Sequence, residues 1–247
     1  MSVPSLVRLA VGWEAGPLAE DLMTAYRTYR PKVTIQPLTM SSPSAIQAVT
    51  AGEMDLALIA AVDNAALEEM APGLRYARVA RDGLAVVVHK SSILNQISIG
   101  DLQALFSGEI VDWSALGQTG GRPLLAVQSR STTTRRVFDE GVMQAVSVST
   151  TARVFPNDET LLAYVSSTPL AIGYVSASHF QAEAPVAILA VDLLLPTRAN
   201  IEKDQYPLTH GLYVVYRAES NANADGFRAF MQSARGHAAV RERNALP

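Results

Sequence analysis

Cysteine is absent from this 247-residue chain. That excludes disulfides, thiolate nucleophiles and thiolate-held zinc or iron–sulfur groups, and is neutral on compartment. Charge is scarce as well: 17% of residues are Asp, Glu, Lys or Arg, and the net charge is −3. A nucleic-acid binder needs a basic stripe to neutralise phosphates, so no nucleic-acid partner is expected. No apolar run approaches the ~20 residues of a membrane helix. The opening MSVPSLVRLAVGW lacks the charged segment, apolar core and small-residue cleavage site of a secretory leader. The four histidines, His89, His179, His210 and His237, form no close metal spacing. There is no G-x-S-x-G elbow, P-loop or G-x-G-x-x-G. The expectation is a protein that is not an enzyme, with no cofactor, no metal and no catalytic residue.

What is present is apolar. Hydrophobic residues make up 49%, enough to bury the core of one large domain or two small ones. The first third alternates strand and helix. Leu6 to Val11 reads as a short strand. Leu18, Leu22, Ala25, Tyr26 and Tyr29 then recur at helical spacing until Pro31. Val33 to Leu38 alternates as a second strand. Ser42 followed by Pro43 predicts a helix with Ser42 as N-cap and Pro at its first position, ending near Gly52. Leu56 to Ala61 is continuously apolar, as a strand buried on both faces should be. This order implies a parallel sheet with right-handed crossovers.

Further strands are predicted at 84–89, 124–127, 152–155, 171–175, 187–191 and 212–216. Helices are predicted from Ser98 to Ser107, from about Thr134, from 159 to 166, and last through Phe227, Phe230 and Met231. Ser98 with Asp101 three residues on is a capping-box pattern. No low-complexity linker separates two domains, so two lobes would be joined by crossing strands. The runs at 84–89 and 187–191 are the candidates. The reading assigns residues 1–83 and 188–247 to lobe I and 84–187 to lobe II.

Asp101 to Phe138 is the most informative stretch. A capped helix ends at Ser107-Gly108, a turn follows at Asp112-Trp113, and a buried strand runs into Ser129-Arg130-Ser131-Thr132-Thr133-Thr134. That loop opens a helix. Free N–H groups and the positive end of a helix dipole make such a place suited to a small anion.

These segments, in order, resemble the phosphate-binding, periplasmic-type solute-binding proteins of ABC importers. The likeness rests on AIQAVTAGEMDLAL, Asp82-Gly83, Phe106-Ser107-Gly108 with Asp112-Trp113, and Thr134-Arg135. It continues with Ile172-Gly173-Tyr174, Pro196-Thr197 and Tyr206-Pro207-Leu208, so it covers nearly the whole chain. The resemblance implies the α/β, two-lobed periplasmic binding protein type II fold. Each lobe is a mixed, mostly parallel sheet flanked by helices, the lobes are joined by two crossing segments, and a ligand cleft closes by hinge motion. It also implies capture of phosphate or a related oxyanion by a monomer, delivery to an ABC permease, and an extracytoplasmic location with the leader absent from this sequence. The alternatives are a sensing or effector module of the same fold and a binder of a different small organic solute.

Three loops depart from the family pattern. Trp13 and Glu14 follow Gly12 where a small hydroxyl residue is usual. Ala60 and Ala61 stand after the third strand, and Asp63 fits only if that loop is longer. In the middle loop, a gapless match puts Gln128 at the family's Arg position and Thr132, Thr133 and Thr134 at its Ser-Gly-Thr. A two-residue deletion makes Arg130 the ligand arginine instead.

A micromolar site needs about 8 kcal/mol, and each hydrogen bond to a charged group supplies roughly 1.5–3. Several donors must converge. The candidate ligand-binding residues are Gly12, Trp13, Ser41, Ser42, Ser44, Ala45 and Asp63 in one lobe. In the other they are Gln128, Arg130, Ser131, Thr132, Thr133 and Thr134. Each has a structural reading too. Ser41 and Ser42 fit equally well as simple caps, the threonines as a loop and cap run, Arg135 as an ion-pair partner, and Trp113 as a core anchor. Glu14 opposes a dianion unless it takes a proton from the ligand or pairs with an arginine.

Overall fold

A computed structural model describes residues 5–180, 186–219 and 221–247. The first four residues, part of the segment read for a leader, lie outside this range. In chain order the elements are β1 (Ser5–Gly12), α1 (Gly16–Tyr29), β2 (Val33–Met40), α2 (Ser42–Thr50), β3 (Leu56–Ala61), α3 (Asn64–Met70) and β4 (Arg75–His89). Then come β5 (Gln96–Ile97), α4 (Ile99–Ser107), β6 (Leu124–Gln128), α5 (Thr133–Phe138), β7 (Arg153–Phe155), α6 (Asp158–Ser167) and β8 (Ala171–Ser176). The chain closes with β9 (Val186–Val191), α7 (Arg198–Glu202), β10 (Thr209–Tyr216), α8 (Ala222–Met231) and α9 (Ala234–Val240). The chain divides into two compact units, 1–82 with 210–247 and 83–209.

In unit 1 the strands run β2-β1-β3-β10-β4. β1 lies parallel to both β2 and β3, and β10 is antiparallel to β3. The period-2 rule explains why β3 reads as uninterrupted apolar sequence. Leu56, Leu58 and Ala60 join one core with α1, α8 and α9. Ala57, Ile59 and Ala61 join a second core with α2 and α3. Every residue of β3 is buried. At roughly 1.5–3 kcal/mol per buried Leu or Ile, this strand alone contributes several kcal/mol. Phe227, Phe230 and Met231 lie on α8 as expected, but α8 is not the last helix. Ser233 accepts from Gly236 N–H and caps α9.

One polar pairing ties β1 to the turn before β3. The Arg8 guanidinium donates to Asp55 Oδ1 at 2.8 Å and to Gly52 O at 3.1 Å, and Arg8 N–H donates to Asp55 Oδ2 at 2.7 Å. Burial pushes the Asp55 carboxyl up, but the hydrogen bonds and charge of Arg8 outweigh it and the net shift is downward. A depressed carboxyl stabilises the fold fully above its unfolded value of about 3.9, and that stability is lost as pH falls through the lower folded value. We therefore expect the stability gap between wild type and Asp55→Asn to be constant from pH 7 to about 5 and to shrink below about 4. Urea unfolding across that range measures it. A gap independent of pH would show that the pair adds nothing.

In unit 2 the second half of β4 pairs antiparallel with β8 and β9, and β6 lies parallel to β8 and β7. Ala85, Val87, Leu161, Val165 and Val175 form one core. On another side Phe138 stacks on Tyr174, ring centroids 4.1 Å apart, with Phe106 edge-on to Phe138 at 4.8 Å. Ser98 caps α4 as expected: its Oγ accepts from Asp101 N–H at 3.0 Å and donates to Asp101 Oδ2 at 2.7 Å, and α4 ends at left-handed Gly108. Trp113 is buried and donates its indole N–H to Leu170 O at 3.0 Å, the anchoring role read for it.

Residues 188–209 fall in unit 2, whereas the sequence reading placed them in lobe I. The reason is pairing. β9 bonds to β5 and to the second half of β4, Val86 to His89, which lie in unit 2, and Tyr206 donates to Leu84 O. The second passage between units thus comes at Thr209–His210.

Candidate functional site

In unit 1, β1 and β3 are parallel, and their C-terminal ends are where open α/β sheets bind ligands. β1 ends at Gly12 and runs directly into a short 3-10 turn, Trp13–Ala15. A Cβ on Gly12 would stand 2.9 Å from Ser42 Oγ and 3.4 Å from Ile59 Cα. The missing side chain lets the start of α2 close onto the strand end. Ser42 is 3% exposed, and its hydroxyl has no hydrogen-bond partner among the described residues. A buried hydroxyl without a partner is costly, so it marks a place where a partner belongs.

The N-cap of α2 is Ser41, one residue earlier than the sequence predicts. Ser41 Oγ accepts from Ser44 N–H at 3.3 Å, and Ser41 O accepts from Ala45 N–H at 2.9 Å. Ser41 has the extended backbone a cap needs, and Pro43 fits the first turn because no N–H is required there. Capping thus occupies the N–H groups of Ser44 and Ala45 and leaves the Ser42 hydroxyl open. Asp63 caps α3 by accepting from Ala66 N–H at 2.8 Å. Trp13 is half-buried, and Glu14 is 2% exposed.

In unit 2, β6 delivers Gln128 to the head of the Thr-rich loop. Gln128 is fully buried and its amide is used at both ends. Nε2 donates to Asp158 Oδ1 at 2.8 Å, and Oε1 accepts from the Thr134 hydroxyl at 2.6 Å. Asp158 Oδ1 also accepts from Ser176 N–H at 2.7 Å. Gln128 N–H points to the Tyr174 phenol oxygen at 3.3 Å, and burial pushes that phenol far above its ordinary value. Thr132 Oγ1 donates to Ser129 O and accepts from Arg135 N–H as the N-cap of α5. The single protons of the Thr132 and Thr134 hydroxyls are therefore committed to the protein.

Arg135 is buried, with Nε on Asp139 Oδ1 at 2.7 Å and Nη1 on Gln128 O at 3.1 Å. This matches its ion-pair reading. Arg130 differs: it is exposed at the loop tip and has no ion pair among the described residues. Ser131 beside it is exposed, its hydroxyl 3.0 Å from Ser129 Oγ. Of the two residues that compete for the ligand-arginine position, Gln128 is closed in on every side and Arg130 is open.

Asp158 and Ser176 escaped the sequence reading. Asn157 caps α6 through Thr160 N–H, so Asp158 takes the first helical position. That much the run Asn157-Asp158-Glu159-Thr160 could have shown. That Asp158 turns inward to hold Gln128 depends on β6 and β8 lying side by side, which no local pattern records.

A family model described as PBP superfamily domain matches residues 4–235, and the chain belongs to this family. Its fold is the two-lobed periplasmic binding protein type II fold, with mixed sheets flanked by helices. Among curated proteins it is 27% identical, over 158 residues, to the phosphate-binding protein PstS of Bacillus subtilis, covering 63% of this chain and 51% of that one. The chain thus spans about half the length of that relative. It is 31% identical over 99 residues to phosphate-binding protein PstS 2 of Streptococcus pneumoniae, covering 40% of this chain and 33% of that one. Among solved structures, a chain from Clostridium perfringens superposes with a TM-score of 0.89 at 21% identity, over 98% of both chains. That chain is assigned as a phosphate ABC transporter substrate-binding protein and carries bound phosphate.

Proposed function

We propose that this protein captures phosphate or a related small oxyanion outside the cytoplasm and presents it to an ABC-type permease. The observation that carries the reading is the Ser42 hydroxyl, buried and without a partner among the described residues where α2 begins, at the C-terminal end of β1. The names of the curated relatives support phosphate as the anion. In unit 1 we assign Ser42 as a direct donor, with Gly12 making room for it. Ser41, Ser44 and Ala45 shape the helix start, and Trp13 and Asp63 border it. In unit 2 we assign Arg130 and Ser131 as direct ligand groups. Gln128, Thr132, Thr133 and Thr134 hold the loop in shape. The ligand is bound and released unchanged, with no cofactor and no metal ion.

Among the described residues no helix is long and apolar enough to cross a membrane, and no cluster of His, Asp and Glu could hold a metal. Calorimetric titration with phosphate, sulfate, molybdate and small carboxylates tests the reading. Phosphate should bind more tightly than millimolar, and Arg130→Ala should weaken it about tenfold or more, as loss of a charged hydrogen bond implies. If no oxyanion binds in that range, the proposal fails.

A further inference from the structure

A groove of about 540 Å³ opens on unit 1 beside Tyr29, Arg30, Phe230 and Arg235. It also touches Val33, the first residue of β2. Gly12 and Ser42 lie at the other end of the same sheet, where β1 finishes against Met40 of β2. The groove is therefore separate from the oxyanion site and does not rest on that reading.

Two guanidiniums lie over the Tyr29 ring here. Arg30 lies 5.2 Å and Arg235 4.9 Å from the centroid of the Tyr29 ring. Their Cζ atoms are thus at most the sum of those two distances, about 10 Å, apart. Neither has an ion-pair partner among the described residues. Arg30 stands at the C-cap of α1, where a cation is favoured by the helix dipole. No such reason covers Arg235. It sits in the first turn of α9, at the positive end of that helix. The Tyr29 ring attracts Arg235, while the start of its helix and Arg30 oppose it, and an anion relieves that opposition.

The groove wall is aromatic. Tyr29 is 43% exposed, and its ring lies at 21° to Phe230 with centroids 5.7 Å apart. The exposed part of the Tyr29 ring offers a flat apolar body an apolar edge, and the two guanidiniums offer an attached carboxylate charged donors. The volume lies within the range of small-molecule sites.

We propose that this groove is a second binding site, specific for a small aromatic carboxylate. The carboxylate engages Arg30 and Arg235, and its ring packs against the exposed part of Tyr29.

Fluorine NMR with 4-fluorobenzoate, and calorimetry with naphthalene-2-carboxylate, test this on the full chain. Saturable binding of the larger acid is expected below millimolar, with no response to naphthalene-2-carboxamide. Arg30→Gln with Arg235→Gln should weaken it at least tenfold and leave phosphate affinity unchanged. Unaltered thermal unfolding of that variant certifies its fold. Saturable binding retained by the variant, equal binding of the amide, or no saturation by either acid overturns the proposal. So does saturation by an acidic peptide alone, which would make the groove a protein-docking surface. Loss of phosphate binding with the aromatic acid still bound would overturn only the oxyanion reading.

Discussion

Ser42→Ala should weaken phosphate binding about 10- to 150-fold and leave the ligand-free protein as stable as before, or more so. The two effects have opposite signs for one reason. The Ser42 hydroxyl is buried and makes no hydrogen bond among the described residues, so its removal breaks none of these contacts and relieves an unsatisfied polar group. A hydrogen bond to a charged ligand is worth roughly 1.5–3 kcal/mol, which is the stated loss in affinity. A methyl in place of the hydroxymethyl leaves the seat against Gly12 open, so the strand end keeps its geometry. Calorimetry and urea unfolding on the same preparation check both halves. Lower stability together with unchanged affinity would make Ser42 a structural residue. Ser41→Ala is the contrast. It removes a cap, should cost about 1 kcal/mol of stability, and should affect binding only through the helix start.

Asp158→Ala should destabilise unit 2 by about 3 kcal/mol or more. Asp158 is 1% exposed, and its Oδ1 accepts from two buried donors, Gln128 Nε2 and Ser176 N–H. Each donor left unmatched in a dry interior costs about 1–3 kcal/mol, and alanine offers no acceptor to either. The consequence spreads along the network. Without Asp158 the Gln128 amide is fixed on its donor side only by a long contact to Tyr174 O at 3.5 Å, and Thr134 has a less secure acceptor. The loop that carries Arg130 is then less ordered, so oxyanion affinity should fall as well. Asp158→Asn keeps one acceptor oxygen in the same volume and should recover most of the stability. Urea midpoints of the three proteins decide it. An alanine variant as stable as wild type would show that water fills the gap and that the network is not needed.

Much of the architecture could be read from one-dimensional patterns. The all-apolar run at β3, the helical spacing of Leu18, Leu22 and Tyr26 in α1, and the Ser98–Asp101 box each reflect a rule confined to a few neighbouring residues. The errors fell where a choice between neighbours depended on contact. Ser41 rather than Ser42 caps α2 because Gly12 lets the Ser42 side chain tuck against the strand. Residues 188–209 left the first unit because β9 found its hydrogen bonds on β4 and β5.

The sequence by itself determined that this is an α/β protein without thiol chemistry, with two hydroxyl-rich loops that open helices and the linear signature of a solute-binding family. Those features depend on residue type and short spacing. Only the tertiary structure decided which of those hydroxyls are already engaged. Thr132 and Thr134 spend their protons on Ser129 O and Gln128 Oε1, while Ser42 keeps its own. The physical reason is that a hydroxyl has one proton, and who receives it is settled by which acceptor the folded chain brings within about 3 Å.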